Sequence, residues 1–343
     1  MKSIIEFHII QSFPVSCLNR DDVGSPKTVS IGGVPRIRVS SQCWKRAVRT
    51  KLHDLGITLG IRTKKVSKVL AEKLLEKTNT KQESLASEVA KTLTNDTVLY
   101  LSNSEYDKVV ECLVENKLDA KGSEKQIKSA LKNLRATVYD GLDIALFGRM
   151  VAMATEMNVE AACSFNHAFS THRATPELDF FSSLDDLQDK DEVGGAYLGV
   201  NEFSSATFYR YVSIDVQQLI DTLGLDKKED IDYAISNFVK ALYLAVPSAR
   251  QKTMAASCAW DFCRCYIRNG QPLQCAFDSP VKPEKGGGYI KPSIKAMIDD
   301  LDSKESRCGS LFGKKLCVDF GEGTECQNID DLIKNILDVV NCD

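Results

Sequence analysis

The 343-residue sequence lacks several features that would place it in a familiar class. No apolar run approaches the roughly 18 residues of a membrane-spanning helix, so we expect no membrane segment. The first residues alternate like a strand and lack the layout of a signal peptide, so we expect a cytoplasmic protein. There is no P-loop, dinucleotide-binding fingerprint or nucleophile elbow, which removes the motifs that most often identify an enzyme.

Paired metal-binding cysteines are also missing, although the chain has 12 cysteines. The best zinc candidate is the set Cys258, Cys263, Cys265 and Cys275, which lacks the CxxC pairs of a strong zinc signal. We therefore expect no metal and no cofactor. In a reducing compartment, most of these cysteines are expected to be free thiols that act as small apolar residues.

Acidic residues are absent from residues 23–53, a stretch that contains seven Lys and Arg. The whole chain, by contrast, carries a formal net charge of −3. A local positive excess against an acidic background is typical of a surface that binds a polyanion. Phosphate contacts supply much of nucleic-acid affinity, so RNA or DNA binding is the first hypothesis. The alternative is a solvated basic helix face.

The pattern inside this stretch predicts a strand that leads into a helix. Arg36 and Arg38 alternate with Ile37 and Val39, which places the two cations on one strand face. Gly32 and its neighbour read as a turn where backbone approaches closely. A helix over residues 41–55 then buries an apolar stripe and exposes the cations of its other side. The buried stripe is Trp44, Val48, Leu52 and Leu55, and the exposed cations are Lys45, Arg46 and Arg49.

The rest of the chain predicts an α+β fold. Residues 1–13, 36–39, 163–171, 207–216 and 257–268 have strand character. Residues 62–147 have a helical pattern and no proline, which indicates a helical insertion with its own small core. Further helices are predicted at 229–246, 291–302 and 328–341.

Seven motifs closely resemble the backbone subunit family of type I-E CRISPR Cascade complexes, called CasC. They occur in family order and together span residues 1–256. The motifs are SCLNRDD (16–22), GG-x-PRIRVSSQ-x-x-KRAVR (32–49), DIALFGRM (143–150), NHAFSTH (166–172), LDFFSSLDDLQ (178–188), AYLGVNEFSSATFYRY (196–211) and VPSARQKTMAA (246–256).

The resemblance implies a hand-shaped, non-enzymatic scaffold. Its palm is an RRM-like (ferredoxin-like) α+β domain, its fingers are a large helical insertion and its thumb is a hairpin. The resulting domain boundaries are 1–56, 163–181 and 209–343 for the palm, 57–162 for the fingers and 182–208 for the thumb. The expected partners are CRISPR RNA, target DNA through the RNA guide, neighbouring copies in a filament and other Cascade subunits.

The resemblance also implies RNA-backbone contacts around the strand-to-helix corner, where cations and polar donors suit phosphate and ribose. Ser40 could alternatively cap the helix, and Arg20 could alternatively pair with Asp21 or Asp22. The matching residues are Arg20, Lys27, Ser40, Gln42, Lys45, Arg46 and Arg49.

Other candidates lie outside this corner. One of Phe180 and Phe181 is expected to stack on a base, since adjacent strand residues point to opposite faces. Met157 is either an apolar wedge beside a displaced base or a packing residue. Arg250 and Lys252 are either a second phosphate contact or a cationic helix C-cap.

Two other functions remain open from the sequence. The first is a metal-dependent endoribonuclease of related fold that uses Asp21 or Asp22, because adjacent carboxylates can hold Mg²⁺. For these two residues, turn formation or a salt bridge is the alternative role. The second is a metabolic enzyme with an anion pocket at the N-terminus of helix 41–55.

Overall fold

The fold is α+β, as predicted, and is built on a large antiparallel sheet. The computed structural model describes residues 3–94, 97–132, 134, 136–151, 154–183, 186 and 197–340. Its strands are β1 (Ile4–Ser16), β2 (Thr28–Ile31), β3 (Val34–Val39), β4 (Ile61–Thr63), β5 (Leu99–Leu101), β6 (Cys163–Phe165), β7 (Ala168–Ser170), β8 (Glu177–Ser183), β9 (Tyr197–Asp215), β10 (Phe262–Arg268) and β11 (Lys314–Gly321).

Eleven α-helices accompany these strands in the described part of the chain. They are α1 (Ser41–Asp54), α2 (Val66–Thr78), α3 (Glu83–Thr94), α4 (Asn103–Glu115), α5 (Ala120–Ala130), α6 (Leu142–Phe147), α7 (Val216–Leu223), α8 (Lys228–Leu244), α9 (Gln251–Met254), α10 (Ile290–Cys308) and α11 (Ile329–Val340). None of the described helices is long and apolar enough to span a membrane.

Strand β1 lies near the middle of the sheet, whose order is β11-β10-β1-β9-β7-β3-β2. Strands β6 and β8 also pair with β9. Because side chains alternate between the two faces of a strand, β1 contributes to a core on each face. Ile5, Phe7 and Ile9 pack on the side of α1 and α8, while Ile10 packs against Met297 of α10.

The region between β4 and residue 157 has a separate apolar core. Helices α2 to α5 supply most of it, as the helical pattern predicted. A buried ion pair closes this core, in which Arg149 Nη1 donates to Glu105 Oε2 at 2.7 Å. Glu105 also completes a capping box at the start of α4.

Four strands differ from the sequence-based expectations. β2 lies within residues 14–34, whose glycine, proline and aspartate content predicts a loop. β4 and β5 form a two-stranded sheet within the predicted helical block, and β11 was not predicted. All four are at most eight residues long and lie at a sheet edge or in the small sheet. Alternation over so few residues is a weak signal, because pairing depends on a partner strand elsewhere in the chain.

Because His8 is buried, the free energy of unfolding depends on pH in the acid range. Tyr209 receives a hydrogen bond from the backbone N–H of Cys275 at 2.9 Å, and its hydroxyl lies 3.0 Å from His8 Nδ1. His8 is thus hydrogen-bonded to Tyr209 inside the core, where burial favours its neutral form. Burial, followed by the charges of Arg268, Lys304 and Arg264, lowers the pKa of His8 from 6.5 to about 3.

We expect the free energy of unfolding to lose the His8 contribution as the pH falls. The contribution is complete above the unfolded pKa of 6.5 and is lost progressively between that value and the folded pKa of about 3. Its slope is up to about 1.4 kcal/mol per pH unit. Urea unfolding from pH 7 to pH 4 measures this loss in the wild type and in His8→Gln, whose side chain does not titrate. Equal slopes for the two proteins would contradict the prediction.

Candidate nucleic-acid interface

The corner between β3 and α1 forms where an amphipathic strand meets an amphipathic helix. Ile37 and Val39 face an apolar cluster that also contains Trp44 of α1. Ser40 lies at the N-cap, and its Oγ accepts from the backbone N–H of Cys43 at 3.3 Å. Asn19 Oδ1 accepts from the backbone N–H of Ser40 at 2.9 Å, which ties the loop before β2 to this corner.

The two predicted strand cations have different environments. Arg36 is fully buried, and its guanidinium donates to the carbonyls of Ser170 and Phe277 at 2.8 and 3.0 Å. It therefore anchors β3 and contributes no exposed cation. Arg38 is half-buried and lies 2.8 Å from His167 Nδ1. Burial, followed by the charges of Arg38 and Lys27, lowers the pKa of His167.

Two surface depressions flank α1. The insertion cleft, of about 600 Å³, separates α1 from β4, β5 and the end of α6. The loop groove, of about 1310 Å³, lies between α1, the loop at residues 18–24 and the segment after α8. Arg46 is exposed and lines both depressions, so α1 forms a basic ridge between them.

The insertion cleft contains four predicted RNA contacts, Gln42, Lys45, Arg46 and Arg49. Lys45 Nζ lies 5.8 Å from the centre of the Phe165 ring. The first turn of α1 contains no acidic residue, so the positive end of the helix dipole is not neutralised there. These features allow the cleft to accept anionic groups beside an aromatic surface.

Arg49 differs from its neighbours because the protein already holds it. Its Nε donates to Asp143 Oδ2 at 2.8 Å and to the Tyr100 hydroxyl at 3.0 Å, while Nη2 donates to the carbonyl of Gly60 at 2.6 Å. Burial opposes the Arg49 charge, but Tyr100 and Asp143 outweigh it and raise the pKa of Arg49.

The loop groove contains Arg20, Arg46 and Arg250. Arg20 is exposed and makes no ion pair with Asp21 or Asp22 within the described chain. Asp21 instead accepts from the backbone N–H groups of Val23 and Ser25, at 3.0 and 2.9 Å. The turn role considered for Asp21 is therefore the one seen in this structure.

Arg250 and Lys252 belong to a short helix of their own. Arg250 precedes α9 with φ of 55°, and its carbonyl accepts from the N–H groups of Thr253 and Met254. The helix C-cap role considered for these cations is wrong, because α8 ends at Leu244 and Ala245 is its C-cap. Lys252 is exposed on α9 and lines neither depression.

Met157 is buried in the core of the insertion with no exposed surface, so its prediction as an apolar wedge is wrong in this structure. Met150, by contrast, is 85 % exposed and lines the insertion cleft. Arg62 is a second cleft residue that sequence reasoning missed. A sequence signal for Arg62 was present. Residues 55–71 contain four Lys and Arg and no acidic residue, so Asp54 alone interrupts an otherwise acid-free stretch from 23 to 71.

Two other predicted contacts, Lys27 and Ser40, do not line these depressions. Lys27 is half-buried, and its backbone bridges two segments: its N–H donates to Asn19 and its carbonyl accepts from Arg38. Ser40 is 9 % exposed and caps α1. Ser40 therefore has the capping role that was its alternative, and Lys27 positions the edge of the corner.

Phe180 and Phe181 lie on an exposed hairpin in which β8 pairs with residues 197–203 of β9. Phe180 is 73 % exposed, opposite Val200, whereas Phe181 lies opposite Gly199 and beside Tyr197. A Cβ at Gly199 would lie 2.4 Å from the Phe181 ring, so the glycine lets this ring cross the strand. Phe180 is thus the more exposed of the two rings, and the two side chains point to opposite faces, as adjacent strand residues do. That one of them stacks on a base stays a prediction.

The predicted thumb boundary at 182 falls inside β8, which begins at Glu177. The sequence also predicts that an acidic thumb base, with Asp185, Asp186 and Asp189, favours head-to-tail association with a basic palm. Asp185 and Asp189 lie outside the described residues, so this expectation stays a prediction. On the described hairpin, one face instead carries four exposed apolar side chains. These are Leu178, Phe180, Leu198 and Val200, called here the apolar hairpin face.

The described residues thus form a basic helix ridge, two flanking depressions and an exposed aromatic hairpin. Such a surface suits an extended polyanion whose bases are unstacked, as in a single-stranded nucleic acid. The chain belongs to the CT1975-like protein family, whose profile matches residues 5–338. No curated protein matched the sequence.

Two solved structures are similar to this chain over nearly its whole length. A chain titled "CRISPR RNA-guided surveillance complex, pre-nicking" is 25 % identical with a TM-score of 0.81, covering 98 % of this chain and 99 % of that one. A chain titled "CRISPR RNA-guided surveillance complex" is 23 % identical with a TM-score of 0.62 and the same coverage, which supports the fold alone. These findings confirm the resemblance to a Cascade backbone subunit, whereas its type I-E assignment stays a prediction.

Proposed function

We propose that this protein is a non-enzymatic backbone subunit of a CRISPR surveillance complex, of type I-E, that holds the guide RNA. The observation that carries the proposal is the basic ridge of α1. Lys45 and Arg46 lie there without an ion-pair partner among the described residues, in a chain of net negative charge. Membership of the CT1975-like family and the similarity to surveillance-complex chains support it.

The topology supports an RRM-like palm. The four strands β10-β1-β9-β7 are antiparallel neighbours, and β1 is followed by α1 just as β9 is followed by α8. When β7 is taken as the second strand, this order matches the βαββαβ connection of a ferredoxin-like fold, which supports the proposed palm. The insertion, with its separate core, would form the fingers, and the β8–β9 hairpin would form the thumb.

Different side chains of the protein suit the backbone and the bases of an RNA. Cations on α1 and in the loop groove suit phosphates, which position a strand without reading its sequence. Exposed Phe180 suits the face of an unstacked base, since stacking on an aromatic side chain contributes about 1–3 kcal/mol per base. Exposed Met150 offers an apolar contact beside the insertion cleft. Bases left uncovered would then pair with target DNA, so the subunit itself would not read the sequence.

The apolar hairpin face supports association with a neighbouring copy. Four exposed apolar side chains on one face of a two-stranded arm are unusual for an isolated surface. A head-to-tail contact between identical copies generates an open helical assembly. Such an assembly fits an RNA scaffold, and other subunits of the complex would terminate it.

The endoribonuclease alternative has less support. One carboxylate oxygen of Asp21 accepts hydrogen bonds from the backbone N–H groups of Val23 and Ser25, which form a turn. Within the described residues, no group of three His, Cys, Asp or Glu side chains is placed to hold a metal ion. The function to test is therefore RNA binding without RNA cleavage.

We expect affinity for single-stranded RNA to rise with RNA length, fall with salt and leave the RNA intact in Mg²⁺. Labelled RNAs of increasing length, titrated at two salt concentrations and then analysed on a denaturing gel, measure all three. Each phosphate contact to a single strand contributes about −0.7 to the slope of log K against log salt. RNA cut at regular intervals would instead favour the nuclease, and saturable binding of small anions with no dependence on RNA length would favour a metabolic enzyme.

A further inference from the structure

A buried network joins the basic ridge to the root of the insertion. Asp143 on α6 has no exposed side-chain surface, and its Oδ2 accepts from Arg49 Nε and from the Tyr100 hydroxyl, the latter at 2.5 Å. Its Oδ1 accepts from the backbone N–H of Gly60 at 3.1 Å. One carboxylate therefore holds α1, β5 and the segment that enters β4.

The network leaves one side of the Arg49 guanidinium available. Nε and Nη2 are bonded to the protein, whereas Nη1 makes no hydrogen bond within the described chain. The Arg49 side chain is 31 % exposed and lines the insertion cleft. A guanidinium presents its donors in a rigid planar fork, so bonding two nitrogens also sets the direction of the third.

We infer that Asp143 and Tyr100 are positioning residues that orient Arg49 Nη1 towards a phosphate in the insertion cleft. This inference rests on the proposed function. A free arginine must give up rotamer freedom when it binds, whereas Arg49 has already done so in the folded protein. The network also fixes the root of the insertion against α1, so the phosphate-binding helix and the opposite wall of its cleft keep a constant separation.

Net charge and side-chain positioning predict opposite effects of an Asp143 substitution on RNA affinity. Removing the Asp143 charge makes the cleft more positive, and charge alone would then strengthen RNA binding. Positioning predicts the reverse. Asn offers one acceptor oxygen where Asp143 offers two, so its amide group would face either the Gly60 N–H or the Arg49 Nε–H as a second donor.

The test is a double-mutant cycle between Asp143→Asn and Arg49→Ala, read as RNA dissociation constants. We expect Asp143→Asn to weaken RNA binding about tenfold in the wild-type background and less than about twofold in the Arg49→Ala background, since contacting residues couple. Tyr100→Phe keeps the ring and the ion pair and should lose about threefold. Arg49→Lys retains the charge without the fork and should behave like Arg49→Ala.

Asp319→Asn is the matched control. Asp319 pairs with Arg264 at 2.8 Å on the far edge of the sheet, and the variant changes the net charge by the same amount. We expect RNA affinity unchanged within about twofold, the usual range for a distant and independent site. Thermal unfolding of all variants identifies any that fail to fold.

A second measurement does not need RNA. The Nε–H signal of Arg49 in nitrogen-15 NMR spectra should be sharp and slow to exchange in the wild type and lost in Asp143→Asn. If Asp143→Asn binds RNA as tightly as the wild type, or loses equally in both backgrounds, the positioning role is overturned while the proposed function stands. If the wild type binds no RNA, the proposed function falls and this inference with it.

Discussion

Reversing the charges of Lys45 and Arg46 to glutamate is expected to weaken RNA binding at least about 100-fold, because two charge-assisted contacts are replaced by repulsion. Both side chains lie on the exposed side of α1, and Arg46 lines both depressions. Arg49 is left intact because its ion pair with Asp143 would confuse loss of charge with loss of structure. The slope of log K against log salt should also become shallower by about 1.4.

The matched control reverses Lys228 and Lys291, two exposed lysines on α8 and α10, away from the clefts. It changes the net charge equally, so a general electrostatic effect would weaken RNA binding in both variants. Titration of a short labelled RNA at two salt concentrations, with circular dichroism to verify folding, makes the comparison. Equal losses in the two variants would show that the α1 ridge is not the RNA site.

Replacing Leu178 and Leu198 by aspartate is expected to lower affinity for a long RNA about 100-fold, since linked binding events gain about 10² to 10⁴ over a single one. Both residues belong to the apolar hairpin face and are 59 % and 78 % exposed. Their replacement should therefore cost little folding stability. Affinity for an RNA that holds one copy should stay within about twofold of the wild type, because surface substitutions have small effects.

The control for this prediction lies on the opposite face of the same hairpin. Asp179 and Asn201 are cross-strand neighbours, so Asp179→Asn with Asn201→Asp keeps composition and charge unchanged. Analytical ultracentrifugation with long RNA counts the copies bound. Full assembly by the Leu178 and Leu198 variant would mean that the apolar hairpin face does not join neighbouring copies.

Local sequence pattern predicted the parts of the fold that depend on one element and one core. Alternation in β3 identified Ile37 and Val39 as one buried side, and the helical period placed Trp44 and Val48 against the sheet. The turn at Gly32 is also confirmed, since its φ is 60° and a Cβ there would lie 1.7 Å from the carbonyl oxygen of Asp278. Such features were accessible because periodicity reports which side of an element avoids water.

The candidate site was predicted less completely than the elements that carry it. The acid-free stretch located the basic corner, but it did not separate Arg36, which is buried on backbone carbonyls, from Arg46, which is exposed. Two methionines seven residues apart, Met150 and Met157, have opposite exposure. Composition reports charge and apolarity, whereas exposure depends on what the rest of the chain places on top.

By itself, the sequence determined the α+β class, the longer strands and helices, the position of the positive charge and the family motifs. Only the tertiary structure decided which cations are free to bind a ligand. Asp143 reaches Arg49 across 94 residues, and neither residue lies in a pattern that indicates the other. The physical reason is that amphipathic periodicity is a local property of an element, while an ion pair requires two distant elements to pack at a fixed distance.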